Sequence, residues 1–256
     1  MSERVVLVGA GNMATAIAYA LKEGGNTPVA VWSRTLESAE LLGGRVGCTF
    51  TTDIASLPVA DIYIISVTDN ALHGVASAVA ERFPNALLLH TAGSIPMDAL
   101  HEVGATRYGV LYPMQTVNKN NPVSLKNITT FIEGCCDDVI ALIEKMAYVI
   151  SDKVVYATSE QRCSLHVAAV FACNFPNAVY NMAYELMQRN SLPFDAMLPL
   201  IDEAARKVHR MLPQEAQTGP ARRGDENVMN LHKSMLDGEL ANIYETLSDY
   251  IMKRNR

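Results

Sequence analysis

A glycine-rich turn directly after the first apolar run is the feature that most constrains how this chain can fold. Residues 5–8 read VVLV, GAGNMA follows at 9–14, and a helical pattern begins at Asn12. The spacing matches G-x-G-x-x-G/A, in which the first glycine makes a tight turn and the second lets the backbone approach a pyrophosphate at the helix N-terminus. We predict a dinucleotide-binding turn, with a plain strand-to-helix turn as the alternative. The predicted cofactor contacts are Gly9, Gly11, Asn12 and Met13.

The order of apolar runs predicts the fold class. In the first half of the chain, short β-branched runs alternate with helical patterns, which is typical of a parallel sheet covered by helices on both faces. The predicted strands are residues 5–8, 29–32, 49–51, 62–67, 86–90 and 109–112, and runs at 128–132 and 154–156 could extend the sheet. The predicted helices between them are 12–22, 36–42, 71–82 and 138–146. We therefore predict an α/β protein whose residues 1–156 form an N-terminal Rossmann-like, doubly wound parallel sheet that binds the cofactor.

Strand-like runs end after Tyr156, which predicts a C-terminal all-α domain in residues 157–256. Thr158 and Gln161 form a capping-box pattern, and helical periodicity then continues to residue 189 with a kink or break near Pro176. Further helices are predicted over 193–211, 228–236 and 240–253, separated by a loop at 213–225. We expect this domain to contact the substrate and to form a homodimer through its helices.

The end of the second predicted strand indicates which dinucleotide binds. An NAD site usually has a carboxylate there, about 20 positions beyond the glycines, that binds the ribose hydroxyls. This chain instead has Ser33, Arg34 and Thr35, whose hydroxyls and guanidinium suit a 2′-phosphate. We predict NADP as the cofactor, with these three residues at its phosphate. Two alternatives stay open, namely that Arg34 is a solvated loop residue and that Glu37 serves a ribose.

Polar residues follow three other buried runs at the edge where the nicotinamide should bind. These loops are SVTD (66–69), HTAGS (90–94) and YPMQT (112–116). Loop residues are often polar for no functional reason, but small residues followed by hydroxyls can approach a planar ring closely. We predict cofactor contacts from Val67, Thr68, Ala92 and Gly93, and substrate contacts from Ser94 and Gln115.

Charge and composition argue against several other classes of protein. The chain has 21 basic and 27 acidic residues, so its net charge of −6 lacks the basic excess that nucleic-acid binding needs. Its apolar stretches are far shorter than the roughly 18 residues that cross a bilayer. Its five cysteines show no spacing suited to zinc. We expect a cytoplasmic protein with reduced thiols, no metal site, and neither nucleic acid nor membrane as a partner.

Several motifs resemble known families. GAGNMATAI near the start, SRT after the second strand and HTAGS after the fifth resemble the dinucleotide domain of pyrroline-5-carboxylate reductases. YPMQTV (112–117), SEQRCSLHVAAVFACNFPNAVY (159–180) and TGPARRGDENV (218–228) resemble a narrower group that joins a Rossmann-like domain to a helical domain named DUF2520. The resemblance spans nearly the whole chain. It implies an NADP oxidoreductase whose helical domain is of the 6-phosphogluconate-dehydrogenase C-terminal type, which commonly builds homodimers.

The chain departs from these patterns at two points. The family pattern reads His-Pro-x-Gln-Thr, whereas this chain has Tyr112 before Pro113, so a role assigned to that histidine does not transfer. No lysine occurs between Lys153 and Lys207, so the catalytic lysine of β-hydroxyacid dehydrogenases has no counterpart. Lysine-assisted alcohol oxidation is therefore disfavoured.

A polar stripe is predicted on the long helix after Thr158. On a regular α-helix, His166, Asn174, Asn177 and Asn181 fall in one narrow sector of an otherwise apolar surface. Buried side chains of this kind must form hydrogen bonds, either within a seam between helices or subunits or with a ligand. Both interpretations stay open for the asparagines. The resemblance favours His166 and Asn174 as site residues.

A second polar cluster is predicted near the C-terminus. Arg223 could bind a substrate carboxylate while Asp225 orients it, or the two could form a structural ion pair. His232 would come within reach if the next helix folds back.

Together these patterns predict an NADPH-dependent reductase that transfers a hydride to a C=N or C=O bond of a small metabolite. Reduction of C=N is favoured only by the resemblance. The first candidate for the proton donor is His166, followed by His90, Tyr112 and His232. One alternative is a dinucleotide-binding sensor or scaffold without catalytic activity, and another is a prephenate-type dehydrogenase.

Overall fold

Eight strands form one sheet in this computed structural model, which describes residues 3–254. The strands are β1 (Val5–Val8), β2 (Ala30–Trp32), β3 (Thr49–Thr51), β4 (Ile62–Ile65), β5 (Leu87–His90), β6 (Arg107–Pro113), β7 (Thr129–Gly134) and β8 (Lys153–Tyr156). Their order in the sheet is β3-β2-β1-β4-β5-β6-β7-β8. All neighbouring strands are parallel except β6 and β7, which are antiparallel.

Apolar side chains on both faces of the strands explain why this sheet forms. Successive strand residues point to opposite faces, and all four residues of β1, β4 and β5 are buried. One face packs with α1 (Asn12–Glu23), α2 (Leu36–Val46) and α4 (Asp137–Ile150), and the other with α3 (Asp69–Arg82). The predicted α/β fold with a doubly wound sheet and a helical C-terminal region is confirmed.

Helices alone follow β8, as predicted. They are α5 (Ser159–Ala169), α6 (Phe175–Arg189), α7 (Leu198–Val208), α8 (Pro213–Ala216), α9 (Pro220–Arg223), α10 (Glu226–Ser234) and α11 (Gly238–Arg254). The prediction of an irregular loop at 213–225 is wrong, because α8 and α9 lie within it. Both begin with a proline, whose fixed φ favours the first position of a helix. Within residues 3–254, no helix has the length and apolar character needed to cross a membrane.

A π-helical turn over Val170–Asn174 interrupts the long helix just before Pro176. Proline lacks an N–H and crowds the carbonyl four residues earlier, so a widened turn at this position has an identifiable cause. Two compact units divide here, between Asn174 and Phe175. The units thus divide later than the predicted limit at residues 156 and 157, because α5 is anchored to the sheet. The functional division at that limit stays a prediction.

His90 ends β5 inside the core of the first unit and is fully buried. The backbone N–H of Ala92 donates to His90 Nδ1 at 3.2 Å, which requires an unprotonated Nδ1. Burial and, to a smaller extent, the charge of Arg162 lower the pKa of His90 to about 3, although the backbone of Pro96 opposes the shift. The predicted role of His90 as a proton donor is not supported by this placement, because a neutral, enclosed imidazole has no surface for a substrate. Its hydrogen bond instead shapes the loop after β5.

The substitution His90→Gln is expected to flatten the pH dependence of stability. An imidazole with a pKa of 6.5 in the unfolded chain and about 3 in the folded chain binds its proton only in the unfolded chain between those values. The free energy of unfolding of the wild type should therefore decrease as the pH falls through this range, by up to about 1.4 kcal/mol per pH unit. Urea unfolding at a series of pH values measures this slope. The exposed His73 of α3 supplies the control, since His73→Gln should keep the wild-type slope, and an unchanged slope in His90→Gln would contradict the account.

Candidate active site

The glycine turn between β1 and α1 has the geometry of a phosphate-binding turn. Gly9 has a φ of +133°, and a Cβ at this position would overlap the carbonyl oxygen of Ser66 at the end of β4. Its N–H donates to the Trp32 carbonyl at 2.8 Å, which joins the turn to β2. Gly11 caps α1, and within residues 3–254 no heavy atom beyond Gly11 and its two chain neighbours lies within 4 Å of the position its Cβ would take. A phosphate can therefore approach the free N–H groups of the first helical turn.

The side chains of Asn12 and Met13 contact other parts of the protein. Asn12 Oδ1 accepts a hydrogen bond from the backbone N–H of Lys119 at 3.1 Å, which ties the segment after β6 to the start of α1. Met13 is half-buried against the core. Both residues can meet a cofactor through their backbone N–H groups, which lack helical partners at this end of α1.

The residues at the end of β2 leave a guanidinium available for an anion. Ser33 is buried, and its N–H donates to the Thr51 carbonyl at 3.2 Å. Thr35 caps α2, and its hydroxyl donates to Ser38 Oγ at 2.9 Å. Arg34 is exposed and forms no ion pair with any carboxylate of residues 3–254. This set suits a 2′-phosphate, as its residue types predicted.

A side-chain hydrogen bond connects the loops after β4 and β5. The Thr91 hydroxyl donates to Ser66 Oγ at 3.0 Å. Val67 and Thr68, the predicted cofactor contacts in the loop after β4, directly follow Ser66. Val67 is half-buried, and Thr68 is the N-cap residue of α3. Ala92 and Gly93 follow it in the second loop. These segments lie at the carboxyl ends of the central strands, where dinucleotides bind to open α/β sheets.

Tyr112 and His166 form a hydrogen-bonded pair beside this edge. The Tyr112 hydroxyl lies 3.0 Å from His166 Nδ1, and the two rings meet edge to face. Tyr112 is buried near the carboxyl end of β6, whereas His166 of α5 is half-buried. A Cβ on Gly93 would overlap the His166 ring, so α5 approaches the loop after β5 as closely as glycine allows. The structure thus brings together two of the four predicted proton donors.

Burial raises the pKa of Tyr112, and the charge of Arg162 partly offsets this increase. The phenol therefore stays protonated throughout the neutral pH range, and it can donate a proton. His166 Nδ1 is the neighbouring group that can exchange a proton with it.

Arg162 and Glu133 are important residues that the sequence analysis missed. Both are buried, and the guanidinium Nη1 of Arg162 donates to Glu133 Oε2. The other Glu133 oxygen accepts from the Ser159 N–H at 2.8 Å. The available sequence signal was a single carboxylate in the otherwise uncharged strand TTFIEG, and its partner lies 29 positions away.

Three predicted substrate contacts are less tightly placed. Ser94 is exposed, and Gln115 Oε1 accepts from the neighbouring Thr116 N–H at 2.8 Å. Asn174 is exposed at the end of the π-helical turn. The predicted continuous stripe from His166 to Asn181 is wrong, because the widened turn breaks the regular 100° step on which it depends. The stripe's asparagines are exposed rather than buried.

The polar cluster of the second unit has structural partners of its own. Asp225 caps α10 by accepting from the Val228 N–H at 3.2 Å. No ion pair joins Arg223 to Asp225 among the residues that the structure describes. His232 Nδ1 lies 2.9 Å from the Tyr244 hydroxyl. Across residues 3–254, no group of three or more His, Cys, Asp or Glu side chains could hold a metal ion.

Two family models match the sequence. The model described as "Domain of unknown function (DUF2520)" matches residues 128–251, and the model described as "Shikimate / quinate 5-dehydrogenase" matches residues 1–85. Among curated proteins, none matches the sequence significantly.

Solved structures share the whole fold. One, described as "putative NADP oxidoreductase BF3122 from Bacteroides fragilis", is 47% identical, has a TM-score of 0.93, and matches over 98% of both chains. A reductive aminase from Aspergillus terreus, in complex with NADPH and ethyl levulinate, is 19% identical with a TM-score of 0.71, over 100% of this chain and 95% of the other. A pyrroline-5-carboxylate reductase from Coxiella burnetii is 17% identical with a TM-score of 0.62, over 100% and 98%.

The last two structures share the fold alone, whereas the first also shares much of the sequence. The resemblance to the group with a DUF2520 domain is thereby confirmed. Because 47% identity extends over nearly the full length of both chains, this chain belongs to the same family as the Bacteroides fragilis protein, a Rossmann-type family that carries the DUF2520 domain.

Proposed function

We propose that this protein is an NADP-dependent reductase that transfers a hydride to a C=N or C=O bond of a small metabolite. The observation that carries the proposal is the Tyr112–His166 pair, 3.0 Å apart, which lies at the same sheet edge as the glycine turn. A reductase needs a cofactor site and a proton donor side by side. We also propose a cytoplasmic location, which the five unpaired cysteines support.

The residues of the first unit fit NADP well. The open space at Gly11 would receive the pyrophosphate, and Ser33, Arg34 and Thr35 would bind the 2′-phosphate. Val67, Thr68, Ala92 and Gly93 would line the nicotinamide side. The bound cofactor supplies the hydride, and the chain has to orient the acceptor bond and exclude water.

Tyr112 and His166 would supply the proton that balances the hydride. The hydride adds to the carbon of the C=N or C=O bond, and the nitrogen or oxygen then takes the proton of the Tyr112 hydroxyl. His166 Nδ1 would return a proton to the phenolate, and because His166 is half-buried it can exchange protons with solvent. Burial raises the pKa of Tyr112 and so favours its protonated form before each turnover.

Reduction of C=N is the preferred reaction. The solved structures that share this fold include a pyrroline-5-carboxylate reductase and a reductive aminase bound to NADPH. In addition, α5 (Ser159–Ala169) and its N-cap Thr158 contain no lysine, so the Lys-assisted oxidation of alcohols lacks its proton-transfer group. The first observation supports an imine as the acceptor, and the second argues against an alcohol as the hydride donor.

Arg34→Ala should reduce the affinity for NADPH while leaving that for NADH unchanged. A lost hydrogen bond to a charged phosphate costs about 1.5–3 kcal/mol, or roughly 10- to 100-fold in Kd. Trp32 is the single tryptophan and lies two residues before Arg34, so its emission can follow both titrations. The matched control is Arg107→Ala, which removes an exposed arginine at the start of β6, away from the proposed site. It should bind both dinucleotides like the wild type. Binding of neither dinucleotide would refute the cofactor site, and binding without reduction of any imine or keto acid would favour the sensor alternative.

Tyr112→Phe and His166→Gln should each lower kcat by about 10²–10⁴-fold, the usual contribution of a general acid. The Kd for NADPH should stay at the wild-type value, because neither side chain is proposed to bind the cofactor. Single-turnover oxidation of NADPH with a cyclic imine measures the chemical step. Tyr108→Phe alters a tyrosine near the other end of β6 and should retain activity. A fully active Tyr112→Phe would exclude this tyrosine as the proton donor.

We further propose a homodimer that forms through the helices of the second unit. Within residues 175–254 only Ala221 and Met229 are buried, so these helices have almost no core in the single chain. Large apolar side chains on several helices are exposed, including Leu200, Leu231 and Tyr250, and so is Leu212 just before α8. A unit of this size cannot fold stably without burying such surface. A second copy of the chain offers the same surface and can cover it through a symmetric contact.

Leu200→Glu should weaken this dimer. Leu200 of α7 is 66% exposed in the single chain, and a carboxylate buried there without a partner opposes association. Light scattering coupled to size-exclusion chromatography measures the mass over a dilution series. Val59→Glu changes an equally exposed residue of the first unit, 69% exposed, and should leave the mass unchanged. A monomeric wild type at all concentrations would refute the homodimer.

A further inference from the structure

A buried ion pair involves Arg162, which lies one helical turn before His166 on α5. Arg162 Nη1 donates to Glu133, and Arg162 Nη2 donates to the carbonyl of Ile95 and, at 3.2 Å, to Ser159 Oγ. The Ser159 hydroxyl donates to Glu133 Oε2 at 2.8 Å and accepts from the Met97 N–H at 2.9 Å. Only 1% of the Arg162 side chain is exposed. This polar cluster therefore joins β7, α5 and the loop after β5.

Stability alone does not explain such a cluster. Removing two charges from water costs about as much as their attraction returns, and apolar pairs of similar volume often serve equally well. What an apolar pair cannot do is fix direction and distance, because dispersion contacts tolerate sliding whereas a guanidinium with several defined acceptors does not. The cluster is therefore suited to setting the position of α5 along the sheet.

The register of the elements links the ion pair to Tyr112 and His166. His166 follows Arg162 by one helical turn of α5, a rise of about 6 Å over four residues. In the sheet, Tyr112 pairs with Phe131, which precedes Glu133 by two residues or about 6.6 Å. These two distances, along α5 and along β7, are nearly equal. The ion pair between Arg162 and Glu133 therefore places His166 opposite Tyr112.

The loop after β5 leaves α5 little freedom. Gly93 touches the His166 ring so closely that a Cβ would overlap it. The Ile95 carbonyl and the Met97 N–H, farther along the same loop, are bound by Arg162 and Ser159. We propose that Arg162, held by Glu133, is a positioning residue of the reductase site, which keeps His166 Nδ1 within hydrogen-bond distance of the Tyr112 hydroxyl. This inference rests on the proposed function, and it adds a structural requirement that can be tested separately.

The test replaces the ion pair with an apolar pair, Arg162→Met with Glu133→Leu, because a single Arg162→Gln would leave the Glu133 charge buried and could unfold the protein. The expected kcat is about 10²-fold lower, the scale of a misplacement near 1 Å, with an unchanged Kd for NADPH. Adding His166→Gln to this double variant should cause little further loss, since His166 is already separated from Tyr112. Lys126→Met with Asp152→Leu removes an exposed ion pair and is the matched control, with wild-type kcat.

A second readout does not depend on activity. ¹⁵N NMR of His166 reports whether Nδ1 is hydrogen-bonded, and Tyr112→Phe in the otherwise wild-type chain gives the reference spectrum for a broken bond. The Arg162→Met/Glu133→Leu variant should resemble that reference, and the Lys126→Met/Asp152→Leu control should resemble the wild type. Arg162→Lys keeps the positive charge but loses the two-pronged guanidinium. It should give a spectrum between the two references, and it replaces the apolar variant if that variant does not fold.

The outcomes separate this inference from the proposed function. A wild-type Nδ1 signal in the folded apolar variant would overturn the positioning role of Arg162, whether or not the protein is a reductase. Loss of the Nδ1 hydrogen bond with an unchanged kcat would overturn the catalytic part, because the bond would then be formed for some other purpose. A wild-type protein that reduces no imine or carbonyl would refute the proposed function, while the NMR comparison would still decide whether Arg162 positions His166.

Discussion

The pairing of β1 with both β2 and β4 is the constraint on which the rest of the first unit depends. Because the strand order runs in opposite directions on either side of β1, the connections leaving β1 and β4 turn to opposite faces and open a crevice between them. Hydrogen bonds and contacts then align the loops at this edge. Gly9 is bound to the Trp32 carbonyl and pressed against Ser66, and Ser66 is bound to Thr91. A side chain at Gly9 would separate the first two loops, which explains why a glycine in the left-handed region is needed at this one position.

Much of this fold is predictable from the sequence, because a sheet buried on both faces needs runs such as VVLV, IYII and LLLH that few other structures would accommodate. The glycine turn and the end of β2 were equally accessible, since their chemistry depends on residues close together in the chain. The antiparallel pairing of β6 with β7 and the pairing of Arg162 with Glu133 could not be predicted from the sequence. A lone carboxylate in a strand and a lone arginine in a helix carry no sequence signal for each other, and only the packing of α5 on the sheet joins them. Tyr112 and His166, 54 positions apart, illustrate the same limit.

The helical region shows a different kind of failure. A helical wheel assumes an equal rotation at every residue, and a single π turn at Val170–Asn174 invalidates it for everything that follows. Periodicity predicted helices in this region, but it could not predict which surface covers their apolar residues. Those residues remain exposed in the single chain. Periodicity predicts that a helix has an apolar side, whereas the identity of the partner depends on surfaces distant in sequence or in another molecule.

One buried cation modifies the electrostatics that burial imposes on two residues of the first unit. The charge of Arg162 lowers the pKa of both His90 and Tyr112. For His90 it adds to the effect of burial, and the pKa falls to about 3. For Tyr112 it opposes burial, which raises the pKa. His90 is thereby kept neutral and serves as a hydrogen-bond acceptor for the loop that holds Gly93. Tyr112 is kept protonated by burial, yet the nearby positive charge would make the phenolate of the proposed mechanism less costly. A change in the proposed reduction rate near neutral pH would therefore not originate in His90, and the guanidinium proposed to position α5 also lowers the pKa of both residues.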